Sequence, residues 1–204
     1  MLPTAGFAEV TTAPEKDGAI FEQMVILAKR APQDEVVAPR RNRPRWLIFA
    51  DRGELAIETA EQLEAAGNEC LFVRPGEAFE RLAEGRYAIP PASEEDYGVL
   101  LRTVLGDGGT LAGIVHLWSV DGHGAETDLT AEGVDQAQQT GCRSVLNLVK
   151  AMVASSGSEA PRLWLVTRGA QPGEAVDAAN ATILGLGRVI ALEYPEFLCT
   201  RVDL

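Results

Sequence analysis

WLIFADRGELAIETAEQLEAAGNECLFV, residues 46–73, is the stretch that decides the predicted fold. It begins with a nearly continuous apolar run over 46–50, as expected for a strand in a sheet that is covered on both faces. A helix over 54–66 follows, and Gly67 stands where many helices end on a left-handed residue. The apolar run over 70–73 supplies a second strand. Strand, helix and strand in this order indicate a parallel βαβ unit.

The same alternation continues to residue 204. Further strands are predicted at 113–118, 163–167 and 199–204, and further helices at 94–105, 132–154 and 181–192. Residues 87–91 are interpreted as part of an irregular excursion punctuated by Pro and Gly. We therefore predict an α/β fold with a doubly wound parallel sheet of about five strands. The expected buried stripes are Ile57, Ala60 and Leu63 on the first helix, and Val134, Gln138, Cys142, Val145, Val149 and Met152 on the helix over 132–154.

The residues before this sheet divide into two zones. Residues 1–31 hold two short apolar runs around a polar stretch, which predicts a β-hairpin. Residues 32–45 are rich in Pro and Arg without periodicity and are interpreted as a linker, which leaves 46–204 as the main domain. A polyanion site is the alternative interpretation for the basic cluster of this zone, Arg40, Arg41, Arg43 and Arg45.

Charge and composition exclude several classes of partner. The net charge is −12, and the residues after 45 carry a net charge of −13, so we expect no binding to nucleic acid. No apolar stretch approaches the roughly 20 residues that cross a bilayer, and the N-terminus does not resemble a signal peptide. Cys70, Cys142 and Cys199 lie far apart and suit reduced thiols better than disulfides. A cytoplasmic protein without membrane contact is predicted.

The turn after the first strand is where such a sheet would bind a dinucleotide. Here that turn reads DRGELA, residues 51–56, and Gly53 is its only glycine. No alignment with the usual three-glycine pattern fits. Asp51 and Glu54 also place carboxylates where a pyrophosphate needs backbone N–H groups and a free helix end. We therefore predict no cofactor-binding residue.

Catalytic motifs are missing as well. Reductases built on this sheet need a Tyr followed four residues later by Lys. None of the three tyrosines here has this partner: Tyr87 is followed at that spacing by Pro91, Tyr97 by Leu101 and Tyr194 by Leu198. There is no nucleophile elbow of the Gly-x-Ser-x-Gly type. The glycines at 185 and 187 lie in a helical pattern and indicate close packing, whereas those at 106, 108 and 109 precede a strand. No catalytic residue is predicted.

Histidine and tryptophan offer few candidates for a site. His116 lies in an apolar strand and is predicted to be a hydrogen-bonded core residue. His123 lies in a glycine-flanked loop with Asp121 and Asp128, but without a second His or a suitable Cys it predicts no metal ligand. The tryptophans at 46, 118 and 164 all fall in predicted strands, where packing is the first interpretation and ligand stacking the alternative.

Several strings resemble the ketoreductase region of type I polyketide synthases. They are GIVHLWS (113–119), PRLWLVTRGAQ (161–171), GLGRV (185–189) with EYP (193–195), and RVDL (201–204). Tyr194 stands where the family usually has His. In that family the region has two Rossmann-like halves, and the second carries the NADPH loop and the Ser/Tyr/Lys set. All these strings belong to the first half, so the resemblance implies that 46–204 is its truncated, non-catalytic structural subdomain.

The resemblance also implies a function and a set of partners. The chain would be a scaffold in a multifunctional synthase, a transferase with β-ketoacyl reductase activity that is related to fatty acid biosynthesis. It would brace the catalytic half, which reduces acyl-carrier-bound β-ketoacyl thioesters with NADPH. Expected partners are that half, neighbouring synthase domains and, indirectly, the acyl carrier protein. In the family the structural half ends near Leu204, where some synthases insert an enoylreductase. Residues 1–31 resemble the C-terminal hairpin of a class I S-adenosylmethionine methyltransferase.

Two other classes of function stay open. One is a free-standing α/β module that binds a small ligand at the carboxyl edge of the sheet, near Asp51, Asp121 and Gln171. The other is a complete but unusual NAD(P) reductase, against which the missing Tyr/Lys pair argues. For a scaffold, we expect the partner to dock on the strand over 199–204 and on the helix before it, through Ile183, Leu186 and Ile190.

Overall fold

The computed structural model describes residues 7–13, 25–30, 43–106, 110–121, 130–155, 160–171 and 177–204. The chain divides into two compact units, Met1–Ala38 and Pro39–Leu204. In the first unit, β1 (Phe7–Ala13) and β2 (Val25–Arg30) pair antiparallel, so the predicted hairpin is confirmed. Most of the predicted linker lies outside the described residues. The assignment of 1–31, 32–45 and 46–204 to three segments stays a prediction.

The second unit is built on a seven-stranded sheet. Its strands are β3 (Arg45–Phe49), β4 (Glu69–Pro75), β5 (Glu80–Ala83), β6 (Arg86–Ile89), β7 (Leu111–His116), β8 (Arg162–Thr167) and β9 (Thr200–Asp203). Their spatial order is β5-β6-β4-β3-β7-β8-β9, and β5 with β6 is the antiparallel pair in an otherwise parallel sheet. The predicted Rossmann-like α/β fold is confirmed.

Two strands were not predicted, and both lie in the excursion around residues 87–91. Gly85, with a φ of +67°, lies in the turn between β5 and β6, and β6 then pairs parallel with β4. Each strand has four residues, and every residue of β5 is exposed. A strand this short and this exposed gives no alternating pattern, which is why the sequence suggested five strands instead of seven.

The first helix, α1 (Leu55–Ala65), ends as predicted, and of its predicted stripe Ala60 is buried and Leu63 packs on the core. Gly67 has a φ of +85°, and the N–H groups of Gly67 and Asn68 donate to the carbonyls of Glu64 and Leu63 at 2.9 and 3.1 Å. This is a Schellman ending. The prediction that Ile57 is buried was wrong, because it is 54% exposed. Ala56, which was not predicted, takes its place beside Ala60 where the helix rests on the sheet.

The helix predicted over 132–154 is interrupted. It consists of α3 (Ala131–Gln138), a π-helical turn (Gln139–Arg143) with a kink at Gly141, and α4 (Ser144–Ala154). A π turn adds a residue to the helical repeat, so one stripe cannot continue across it. Accordingly Val145, Val149 and Met152 are buried as predicted, whereas Val134 in α3 is exposed.

The remaining helices, α2 (Glu94–Leu105) and α5 (Ala178–Glu193), join α4 on one face of the sheet. There they bury Leu47 and Phe49 of β3, while α1 covers the opposite face with Ile48. The face of α5 predicted for docking was misassigned, since Ile183 and Ile190 are buried in this core. No helix within the described ranges is long and apolar enough to cross a membrane.

Candidate functional site

The candidate site lies at the carboxyl ends of β3 and β7, where the chain leaves these neighbouring strands in opposite directions. From β3 the connection through α1 leads to β4 on one side, whereas β7 continues to β8 on the other. Open α/β sheets bind ligands at such a switch point. Two segments form this edge: the turn 50–56 after β3 and residues 117–121 after β7.

The turn after β3 is closed by its own carboxylate. Asp51 Oδ2 accepts the backbone N–H of Gly53 at 3.0 Å, and Asp51 Oδ1 accepts that of Ala56 at 2.8 Å. Ala56 lies in the first turn of α1, whose free N–H groups would otherwise bind an anion. Asp51 therefore occupies the position that a phosphate would use.

A second carboxylate completes this arrangement from β7. Both oxygens of Asp121 lie 2.9 Å from the backbone nitrogen of Arg52, whose N–H they accept. Three backbone donors of the turn are thus bound to two protein carboxylates. A pyrophosphate would have to displace both and would meet their negative charge. The residues present do not fit a dinucleotide.

Gln171, the third residue predicted near this edge, belongs to a different cluster. The backbone N–H of Gln171 donates to Asp203 Oδ2 at 2.9 Å. The backbone N–H of Ala170 and the hydroxyl of Thr167 donate to Asp203 Oδ1 at 2.9 and 2.8 Å. Burial alone raises the pKa of Asp203, but these hydrogen bonds together bring it below its usual value. This cluster, which joins the ends of β8 and β9, was not predicted, because its partners come from segments about 30 residues apart.

Two clefts open at this edge. The larger, about 650 Å³, lies beside α1 and carries charges of both signs, including Arg74, Arg86 and Glu61. The guanidinium of Arg86 lies 4.9 Å from the ring centre of Phe72. The smaller, about 170 Å³, we call the switch-point cleft. It is lined by Arg52, Pro75, Trp118, Ser119, Asp121, Gln136, Ala137, Thr140 and Asn180.

His116 is a core residue, as predicted. Its Nε2 lies 2.6 Å from Ser144 Oγ, and its ring stacks on Phe49 with the ring centres 5.2 Å apart. Burial lowers the pKa of His116 to about 3, so the imidazole is neutral at physiological pH. His123 and Asp128 lie outside the described residues. Among the residues that the structure describes, no three His, Cys, Asp or Glu side chains are grouped so that they could hold a metal ion.

The three tyrosines pack in or against the hydrophobic core. Tyr97 is fully buried, and its hydroxyl donates to the carbonyl of Pro91 at 3.2 Å. Burial raises the pKa of this phenol, which is the opposite of what a proton donor near neutral pH requires. Tyr87 is also buried, and Tyr194 stacks on Phe197.

The glycine and tryptophan predictions have mixed outcomes. A Cβ at Gly187 would lie 2.8 Å from Arg201 Cδ and 3.1 Å from Leu165 Cδ1, so close packing is confirmed there. Nothing lies within 4 Å of a Cβ at Gly185.

Trp118 is buried, and its indole N–H donates to the carbonyl of Val73 at 3.4 Å. Trp46 and Trp164 are partly buried and line an apolar cleft of about 290 Å³ on the α1 face.

Comparison with known sequences finds a matching family model and a polyketide synthase relative. A family model described as "Beta-ketoacyl synthase-like, N-terminal" matches residues 45–204. Polyketide synthase ThaG of Burkholderia thailandensis is 29% identical over 171 residues, which cover 78% of this chain and 3% of that synthase. The chain therefore corresponds to a small part of that relative.

Solved structures add the fold of the relatives. An adenylation, ketoreductase and pseudo Asub multidomain structure of a keto acid-selecting NRPS module is 27% identical, with a TM-score of 0.70, over 85% of this chain and 14% of that one. An N-terminal ketoreductase from the macrolactin assembly line has a TM-score of 0.60 at 15% identity, over 84% and 34% of the two chains, and shows a shared fold. The chain is thus similar to a ketoreductase-like region of polyketide synthases.

Proposed function

Since this chain belongs to the beta-ketoacyl synthase-like, N-terminal family, we propose that it is the structural, non-catalytic half of a ketoreductase region in a cytoplasmic polyketide synthase. In this role it braces a separate catalytic half, which reduces acyl-carrier-bound β-ketoacyl thioesters with NADPH. The similarity to ThaG and to a ketoreductase-containing module supports the synthase context. The chain itself supplies neither the cofactor site nor the proton donor.

One observation carries the non-catalytic part of this proposal: carboxylates occupy the phosphate-binding turn. Asp51 and Asp121 take the N–H groups of Arg52, Gly53 and Ala56. Those donors are what a Rossmann-type sheet offers to a dinucleotide. Because they are bound within the protein, NADPH has no donor set at this turn.

The bracing role is supported by apolar side chains on the outer sides of α4 and α5. Leu146 on α4 and Val189 on α5 are about half exposed, and Leu192, near the end of α5, is 82% exposed. Exposed large apolar side chains are typical of a surface that meets another protein. Strand β9 also lies at the edge of the sheet, where one side has no described neighbour.

The same proposal takes residues 1–31 as the C-terminal end of a methyltransferase-like domain. The antiparallel pairing of β1 with β2 is compatible with this assignment. A two-stranded ribbon contributes little stability alone, so deletion of residues 1–38 should leave the melting temperature of the second unit nearly unchanged. A fall of many degrees would reject the assignment.

Co-purification with the catalytic ketoreductase half of the same synthase tests the bracing role. We expect an equimolar complex on size exclusion and higher melting temperatures for both pieces, because a partner that binds the native state stabilises it. The substitution Leu192→Ser should weaken the complex by about tenfold or more, since a buried Leu contributes about 1.5–3 kcal/mol.

A matched control is Ile57→Ser on α1, which removes an exposed apolar side chain from the opposite face of the sheet. It should leave the complex unchanged. If the two halves elute separately at micromolar concentrations and neither melting temperature moves, the bracing role is rejected.

A further inference from the structure

The hydroxyl of Ser119 is buried and has no hydrogen-bond partner among the described residues. Ser119 follows β7 closely, and it is 5% exposed. Buried hydroxyl groups are nearly always hydrogen-bonded, so an exception calls for a missing partner. The residue lines the switch-point cleft, and its unpaired oxygen lies below the surface of the cleft wall.

The wall around this hydroxyl is held in place by a second buried polar residue. Asn180 is 6% exposed, and its Nδ2 donates to the carbonyls of Ser119 and Arg168 at 3.0 and 3.1 Å. Its position is further fixed by a contact with Asp177 Oδ2 at 3.2 Å. The amide therefore ties the segment after β7 to the start of α5.

The π-helical turn gives the cleft its shape. Gly141 departs from helical geometry with a ψ of −108°, and a Cβ placed there would lie 3.1 Å from Ile183 Cδ1 and 3.8 Å from Ser119 Oγ. The backbone of this turn therefore passes close to the unpaired hydroxyl. π turns inside helices are frequent at functional sites. Thr140, which belongs to this turn, lines the cleft.

The groups at the rim define which chemistry the cleft accepts. The guanidinium of Arg52 and the side-chain amide of Gln136 have no hydrogen bond or ion pair within the described ranges. Arg52 and Asp121 carry opposite charges, which leaves the lining without net charge. The remaining polar groups are hydroxyls and amides. A volume of about 170 Å³ is larger than a single water needs.

We propose that the switch-point cleft binds a small uncharged molecule with hydroxyl or amide groups, and that Ser119 is its buried anchor. The inference does not depend on the bracing role, because it concerns no partner surface and no dinucleotide. An uncharged ligand fits the balanced lining, and hydroxyl or amide groups can both donate to and accept from Ser119.

Titration with small probes, followed by ¹H–¹⁵N NMR of the full chain, tests this proposal. Acetamide and glycerol are the neutral probes, and acetate and methylammonium are the charged comparators. The amides of Ser119, Gln136 and Asn180 should shift with a saturable dependence on a neutral probe. Ser119→Ala should weaken that binding by about tenfold. It should not lower the melting temperature, because the hydroxyl has no described partner to lose.

Ser93→Ala is the matched control, since Ser93 makes no side-chain cap hydrogen bond at the start of α2. It should leave binding unchanged. If Ser119→Ala is unstable, Gln136→Ala at the exposed rim should still weaken binding, with Gln62→Ala on α1 as its control. Four results would overturn the proposal: no saturable shift, equal affinity in the Ser119 or Gln136 variant, preference for a charged probe, or a crystal structure with the neutral probes that shows water only.

Discussion

The Asp51 carboxylate and the backbone N–H of Ala56 are joined by a hydrogen bond of 2.8 Å across the turn between β3 and α1. The same carboxylate also binds the N–H of Gly53 at 3.0 Å. A side chain of this protein thus fills the helix N-terminus that Rossmann-type sheets otherwise offer to phosphate. A Cβ at Gly53 would lie 2.8 Å from Asp51 Oδ2, so the glycine serves this internal contact.

Replacement of Asp51 should destabilise the fold. Asp51→Ala removes the acceptor for two backbone N–H groups, and hydrogen bonds to a charged group each contribute about 1.5–3 kcal/mol, less where water can replace them. We expect the free energy of unfolding to fall by about 1–3 kcal/mol in urea denaturation. Asp51→Asn keeps one acceptor oxygen and should lose less. Equal stability of the Ala variant and the unmodified protein would show that the turn does not depend on Asp51.

Acid should destabilise the protein through His116. Its pKa is lowered from 6.5 to about 3 by burial, so the unfolded chain binds a proton that the folded chain does not. The contribution of His116 to the free energy of unfolding is therefore fully present above about pH 6.5, and it is lost progressively as the pH decreases toward 3. At about pH 4.5 the loss from this residue should be about 2–3 kcal/mol.

The variant His116→Gln isolates this contribution, because glutamine is neutral over the whole range and can still face Ser144. Its free energy of unfolding should vary less with pH between about 6.5 and 4.5 than that of the unmodified protein. The variant His123→Gln serves as the comparison. An unchanged pH dependence in His116→Gln would contradict the assignment.

Two glycines on α5 should respond in opposite ways to the same substitution. Gly187→Ala places a methyl group 2.9 Å from Arg201 Cγ and 3.1 Å from Leu165 Cδ1, so we expect a loss of about 1–3 kcal/mol from overpacking. Gly185→Ala meets nothing within 4 Å and should gain about 0.5–1 kcal/mol from helix propensity. Thermal and urea unfolding of both variants measures the difference. Equal effects would contradict the close contact between α5 and β9.

The parallel sheet could be predicted from the sequence because its central strands are buried on both faces. β3, with Leu47, Ile48 and Phe49 fully buried, reads as a continuous apolar run. Gly67 marks the end of α1 because a left-handed residue there favours glycine. By contrast, β5 and β6 are stabilised by pairing next to β4, and pairing between strands leaves no local signal in four residues.

The details of the site depend on contacts between distant segments. Asp51 was identified because it lies in the turn itself, but the hydrogen bonds from Arg52 to Asp121 join residues 69 positions apart. Ser119 and Asn180 gave no signal, because an unpaired hydroxyl is visible only when its surroundings are known. The kink at Gly141 was missed because 132–154 carries a helical pattern throughout, while the close approach of Ile183 comes from another helix.

Calorimetric titration of the purified chain with NADPH tests the central claim most directly. The catalytic ketoreductase half of the same synthase serves as the positive control. Because Asp51 and Asp121 hold the backbone donors of the phosphate turn, we expect no saturable heat with this chain up to millimolar cofactor, and a clear isotherm with the catalytic half. A micromolar dissociation constant for NADPH on this chain would contradict its assignment as the non-catalytic half.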